Sequence, residues 1–270
     1  MIKKSARFFY ASVQVLFFCT PDQYLPCSSV LPMSHLLLLY VVQLLVLYPN
    51  YAASFLWPKA SSNDPVKDGD NYGVDVTFPI HHKLNPNSEY GQKYAKMIQG
   101  CYDKYSKREC DLTEDQRVDM SLEQPRTQHN YTELGFKKMK VPDQVWKAIS
   151  KFWEDNKHNP APENWPRGNT YTNHWDSPTQ FVSVEDGSRP GGGIRLKNDI
   201  WSGMKPILSD WVGEELKPTS LYGIRIYREG AVLSTHVDRL PLVTSAIIQV
   251  AQEGIEEPWP IEVYSHDGMS

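Results

Sequence analysis

The sequence predicts an α+β fold in which helices come first and antiparallel strands follow, with a sheet of the sandwich or jelly-roll kind. Three observations predict it. Two apolar stripes at helical spacing run through the middle of the chain, at Val145–Trp153 and Ile200–Trp211. After Pro218 the apolar period changes from that of a helix to that of a strand. Ahead of both stand two apolar runs, the first preceded by Lys3, Lys4 and Arg7, a pattern of targeting.

Those runs are FFYASVQVLFF at Phe8–Phe18 and the stronger LLLLYVVQLLVLY at Leu36–Tyr48, followed by Ala52-Ala53-Ser54. The second is shorter than the roughly 20 apolar residues a membrane span needs. It suits a signal-peptide core, and Tyr51-Ala52-Ala53-Ser54 resembles a small-residue cleavage site. Residues 1–57 are therefore expected to be a signal peptide or an uncleaved signal-anchor, the latter tethering the chain to a membrane through 36–48. A buried core helix is disfavoured because the run has no amphipathic face. Met33 lies just ahead of it and competes with Met1 as the start. The expected location is the secretory pathway, in the endoplasmic reticulum lumen or anchored facing it.

Residues 58–132 read as a linker and helical lumenal arm. The first part, 58–90, is rich in Pro, Asn, Asp and Gly. A charged helix is expected over about 91–120, with Tyr94, Met97, Ile98 and Tyr102 at helical spacing. Cys19 and Cys27 fall in the targeting region, which leaves Cys101 and Cys110. An oxidising lumen would let these two bridge across YDKYSKRE, free thiols being the alternative. No second Cys or His pair stands at zinc-ligand spacing. Asn130-Tyr131-Thr132 is an N-glycosylation sequon, meaningful in a lumenal chain.

Residues 133–270 form the domain proper. Leu134–Val141 is expected to be a short strand, and Pro142 with Asp143 a favourable helix start. Val145, Trp146, Ile149, Phe152 and Trp153 make the first stripe, which Asn156–Pro166 ends. Gln180–Val184 is a strand candidate. Gly187–Gly193 lacks the Lys-Ser/Thr of a phosphate-binding loop and reads as a linker. A second helix is expected over Leu196–Val212, with Ile200, Met204, Ile207, Leu208 and Trp211 on one face. Next, Tyr222, Ile224 and Ile226 alternate with Gly223, Arg225 and Tyr227. Arg228-Glu229-Gly230 turns the chain. Strands are then expected at Ala231–Asp238, Leu242–Ala251 and Trp259–Tyr264, the last ended by His266-Asp267-Gly268.

A net charge of -4 and basic clusters no longer than Lys137-Lys138 give no reason to expect nucleic acid. The chemistry lies in RIYREGAVLSTHVD, Arg225–Asp238. Alternate residues of a strand share a face, so His236 and Asp238 can converge on one ion. An imidazole and a carboxylate are two corners of the two-histidine, one-carboxylate triad that holds non-haem Fe(II).

Tyr227-x-x-Gly230, five residues and then His236-x-Asp238 resemble the core motif of the prolyl 4-hydroxylase-like Fe(II)/2-oxoglutarate-dependent oxygenases. NTYTNHW from Asn169, YGIRIYREGAVLSTHVDRLPLVTSAIIQV from Tyr222 and EPWPIEVYSHDG from Glu257 look like a microbial-eukaryote group of them, over roughly 130–270. The resemblance implies an incomplete double-stranded β-helix with supporting helices. It implies His236 and Asp238 as metal ligands and Tyr227 as a hydroxyl that helps hold 2-oxoglutarate. Arg239, beside the motif, could contact substrate by position alone. The implied reaction decarboxylates 2-oxoglutarate to succinate and carbon dioxide and hydroxylates a C–H bond, with ascorbate as the usual reductant. The substrate would be a peptide, typically at proline, or a small molecule.

The departure from the family is at the C-terminal side. The family places a second iron-binding histidine well after His-x-Asp and a basic residue beyond it. Here His266, in the Asp-Gly turn, is the only later histidine, and no Lys or Arg follows Arg239. His174 or His266 could substitute only by an unusual topology. A chain truncated before its closing strands, with no hydroxylase activity of its own, is the leading expectation, and a short isoform that has lost catalysis is another. The rival is a non-catalytic, secreted or membrane-tethered jelly-roll binding module. A cupin-like enzyme is the weakest, since no cluster of several His beside one Glu is visible.

Overall fold

The computed structural model describes residues 9–19, 87, 89–240, 242–254, 259, 261 and 263. The run at 36–48, the linker at 58–86 and the His266 turn lie outside the described residues. Two helices, α1 (Glu89–Lys104) and α2 (Lys107–Thr127), precede α3 (Asp143–Asn156) and α4 (Ile194–Val212). The strands are β1 (Phe9–Cys19), β2 (Ala161–Pro162), β3 (Gln180–Ser183), β4 (Leu216–Arg228) and β5 (Thr244–Glu253). They form one sheet of order β2-β3-β4-β1-β5, with every neighbouring pair antiparallel. No described helix is long and apolar enough to cross a membrane.

The core lies between that sheet and the pair α3–α4. Val145, Ile149, Phe152 and Trp153 from α3 meet Leu196, Ile200, Met204 and Leu208 from α4. Both stripes cover Leu216, Leu221, Ile224 and Ile226 of β4 and Ile248 of β5. Each stripe buries the same side of successive turns, so packing follows directly from the 3.6-residue period. At the margins the pattern loosens: Ile207 and Trp211 are only partly buried and Trp146 is exposed. On β4 the predicted alternation holds at Ile224 and Ile226 but not at Tyr222, which is exposed. The pairing with β1 steps from Val13–Ile224 to Val15–Leu221, and this bulge moves Leu221 onto the core face.

Several sequence expectations need correction. The single helix over about 91–120 is two helices, because Ser106 caps α2: its Oγ accepts from Glu109 N at 3.3 Å and its N–H donates to Glu109 Oε2 at 3.0 Å. Leu134–Val141 is irregular, with Gly135 N donating to Thr132 Oγ1, while Met139 and Val141 pack on the core. Among the described residues it pairs with no strand, and a lone strand cannot satisfy its backbone. Ala231–Asp238 is extended but unladdered, apart from one bridge between Leu233 and Thr172. Trp259, Ile261 and Val263, the described positions of the last expected strand, are likewise outside any strand.

Phe9–Cys19, assigned by sequence to the targeting region, is a strand between β4 and β5. An apolar, β-branched and aromatic run pairs readily with two open edges. Cys101 and Cys110 form a disulfide that joins the end of α1 to the start of α2, and both residues are buried.

Gly203 tests the α3–α4 contact. A Cβ there would lie 2.3 Å from Val145 Cγ2. Gly203→Ala is expected to cost about 1–3 kcal/mol in urea unfolding, as overpacking does. Combining it with Val145→Ala should recover part of that loss, since the cavity from the second change accepts the added methyl.

Candidate metal-binding segment

Gly230, at φ 78°, turns the chain out of β4 into the segment carrying the candidate ligands. Leaving the sheet deprives this backbone of ladder partners, and side chains replace them. Asn173 spans the turn, donating to Gly230 O at 2.8 Å and accepting from Val232 N at 2.7 Å. Ser177 Oγ donates to Glu229 O at 3.0 Å. Ser234 is tied twice to the neighbouring strand-like stretch: its N–H donates to Tyr171 O at 2.8 Å and its Oγ to Thr170 O at 2.7 Å. Thr235 O accepts from Arg117 of α2. NTYTNHW, noted by sequence only for its resemblance, thus clamps the segment.

His236 is half-buried, with its Nδ1 2.7 Å from Ser234 O. That contact assigns the proton to Nδ1 in the neutral ring, so Nε2 keeps the lone pair a metal would take. Tyr171 meets the imidazole edge-on at 5.2 Å between ring centres. Burial lowers the His236 pKa, and the charges of Arg117 and Arg225 act the same way against Ser234 O and Asp238. The ring is therefore held neutral, the form that ligates. Asp238, also half-buried, acts electrostatically on both His236 and Tyr171.

Tyr227 is buried beside Arg225 on the face of β4 opposite the core, as the alternation required. Burial pushes its hydroxyl pKa up, against Arg225. Ala231, Leu233 and Trp259 complete a small apolar cluster around it. Arg225 itself is matched by Glu163 just past β2, with Nη2 to Oε1 at 2.6 Å and Nε to Oε2 at 2.8 Å. Its guanidinium lies 4.9 Å above the Trp165 ring. Thr179 Oγ1 donates to the same carboxylate at 2.6 Å, so Glu163 is firmly held.

Sequence reasoning missed Arg117. It is 1% exposed, yet α2 is strongly polar and has no apolar stripe to mark an inward face. Its Nη2 and Nε meet Glu114 at 2.5 and 3.1 Å, and Tyr94 of α1 donates to Glu114 at 2.8 Å. The available signal was local: Glu114 and Arg117 stand at i,i+3 on one helix.

Other candidates fall elsewhere. His174 Nε2 is 3.1 Å from the Tyr105 hydroxyl, and its ring stacks on Trp165. Arg239 is exposed and bonds the Tyr222 side chain. Among the described residues no group of three His, Cys, Asp or Glu side chains could hold a metal ion. Comparison with protein-family models, curated proteins and solved structures gives no match.

Two outcomes follow from these contacts. Asn173→Ala strips two backbone groups of their partners and is expected to cost about 1–3 kcal/mol in urea unfolding. Glu114 is held below its ordinary pKa: burial, the largest influence, acts upward, but the bond and charge of Arg117 outweigh it. A depressed carboxylate stabilises fully above its unfolded pKa, about 4.3, and this support fades as pH falls through the lower folded value. Stability measured downward from about pH 6 should therefore fall more steeply in the native chain than in Glu114→Gln.

Proposed function

We propose that this chain carries the metal-binding segment of an Fe(II)/2-oxoglutarate-dependent dioxygenase of the prolyl 4-hydroxylase type. The carrying observation is geometric: His236 Nδ1 lies 2.7 Å from Ser234 O, which leaves Nε2 for a metal, and Asp238 acts electrostatically on the same ring. Tyr227 is buried on the strand that precedes the segment, and the resemblance reads its hydroxyl as a contact to 2-oxoglutarate. The substrate class is a peptide, at proline or a related C–H position, or a small molecule.

The fit is partial. Among the described residues two donors are present where a stable Fe(II) site takes three protein ligands. Among the described residues, the two arginines whose charges reach His236 are already matched, half-buried Arg225 by Glu163 and buried Arg117 by Glu114. Neither has the unmatched charge that would anchor the far carboxylate of 2-oxoglutarate. No oxidation step is therefore assigned to these residues. What the surroundings do is favour a neutral imidazole two residues from a carboxylate and bury Tyr227 with Ala231, Leu233 and Trp259. When bound, iron and 2-oxoglutarate would supply the oxidising chemistry, with ascorbate keeping the metal reduced.

The purified 270-residue chain is expected to bind Co(II), used as a spectroscopic stand-in for Fe(II), weakly and saturably. His236→Ala and Asp238→Ala should each abolish that binding without unfolding the protein. Supplied with Fe(II), 2-oxoglutarate and ascorbate, the chain should release no succinate, and turnover would overturn the two-donor account. A folded native chain that binds no Co(II) would favour a non-catalytic jelly-roll binding module.

We also propose passage through the secretory pathway. A buried Cys101–Cys110 disulfide and an exposed Asn130 sequon support it. Expressed in a eukaryotic secretory host, the protein should shift in mobility on treatment with a peptide N-glycosidase, and Asn130→Gln should remove the shift.

A further inference from the structure

We infer that Arg117 is the positioning residue of the His236–Asp238 pair, and that the disulfide-braced helices α1 and α2 exist at this site to present it. The inference rests on reading that pair as metal ligands, and adds a residue from outside the segment to which the resemblance extends.

Arginine is among the residues least often fully buried, and an unpaired buried guanidinium is costly. Arg117, 1% exposed, is therefore held by what its donors reach. Glu114 takes two of them, which neutralises the charge and orients the planar fork. The remaining arm, Nη1, donates to Thr235 O, 118 residues away in sequence. A cation placed only for charge balance would end at Glu114; this one also grips a backbone carbonyl next to the candidate ligand.

The location of that carbonyl gives the grip its consequence. Thr235 lies between Ser234 and His236. Ser234 is fixed from one side by Tyr171 and Thr170, and its own carbonyl meets His236 Nδ1. Arg117 fixes the following peptide plane from the other side. The backbone entering His236 is thus held at two points, the Ser234 N–H by Tyr171 O and the Thr235 carbonyl by Arg117, without a β-ladder. Met97 Sδ of α1, 3.8 Å from Ser234 Oγ, and Tyr94, donating to Glu114, show that both helices of the hairpin bear on the same point.

Removing Arg117 alone would leave Glu114 buried and unpaired, so the test variant is Glu114→Gln with Arg117→Met, which removes both charges. The first readout needs no metal: amide hydrogen exchange by mass spectrometry on the full chain. Protection of the peptide spanning 234–238 is expected to fall about 10-fold or more, while peptides from β4 and β5 keep native rates. The second readout is Co(II) affinity, expected to fall about 10-fold, as when a partner behind a metal ligand is lost. Arg117→Lys supplies the separating control. Its single ammonium can keep the charge and one partner but cannot span Glu114 and Thr235 O. It should fold, at a lower melting temperature than the native chain, yet keep most of the loss in protection and affinity.

Native protection at 234–238 in the double variant, or full recovery of Co(II) affinity with lysine, would overturn the positioning role. If the native chain binds no Co(II) at all, the metal reading falls, and the exchange comparison by itself still decides whether Arg117 holds the segment.

Discussion

A stretch of chain that leaves a sheet must find other partners for its backbone, and here that requirement organises everything around Ala231–Asp238. Buried peptide groups without hydrogen bonds cost more than the bonds themselves contribute. The segment has one bridge to Thr172, with Ser234 N–H on Tyr171 O and Ala231 N–H on Arg228 O, and beyond these depends on side chains: Asn173 at the turn, Ser234 Oγ toward Thr170, and Arg117 from α2. Such contacts are directional, so they fix orientation as well as position. An extended segment secured this way can aim a histidine as firmly as a strand would.

The two arginines show how the surroundings are kept neutral. Arg117 is matched within its own helix by Glu114, and Arg225 across the sheet by Glu163. Both add positive potential at His236, which together with burial keeps the imidazole uncharged. Their net charge is cancelled locally, so the effect is orientation and field rather than attraction of an anion. This is the physical reason the pair His236–Asp238 has electrostatic support while an anchor for a dicarboxylate is not supplied by these two residues.

Much of the architecture is legible in the residue order. The stripes of α3 and α4 point inward because apolar side chains recur with the helical period, and Ile224 and Ile226 enter the core because β4 alternates. The candidates His236 and Asp238 stand out by residue type and two-residue spacing, and Tyr227 only through the resemblance. Sequence and structure part where local pattern gives way to partners distant in sequence. Leu134–Val141 has the composition of a strand but meets no edge, and Phe9–Cys19 has that of a targeting core but meets two. The helix break at Ser106 has a local signal, a capping box, which an expectation drawn from the apolar spacing at Tyr94–Tyr102 and extended to 120 passes over.

Periodicity and residue type by themselves determined which faces are apolar, where helices give way to strands, and which imidazole and carboxylate stand two apart. Only the tertiary structure decided what lies behind them. Arg117 occupies a polar helix with no inward stripe, and nothing near it in sequence shows that its guanidinium will meet a carbonyl in the ligand segment. Local order sets what a residue can offer. Whether a buried charge is tolerated depends on donors and acceptors brought together from opposite ends of the chain, and that is a property of packing alone.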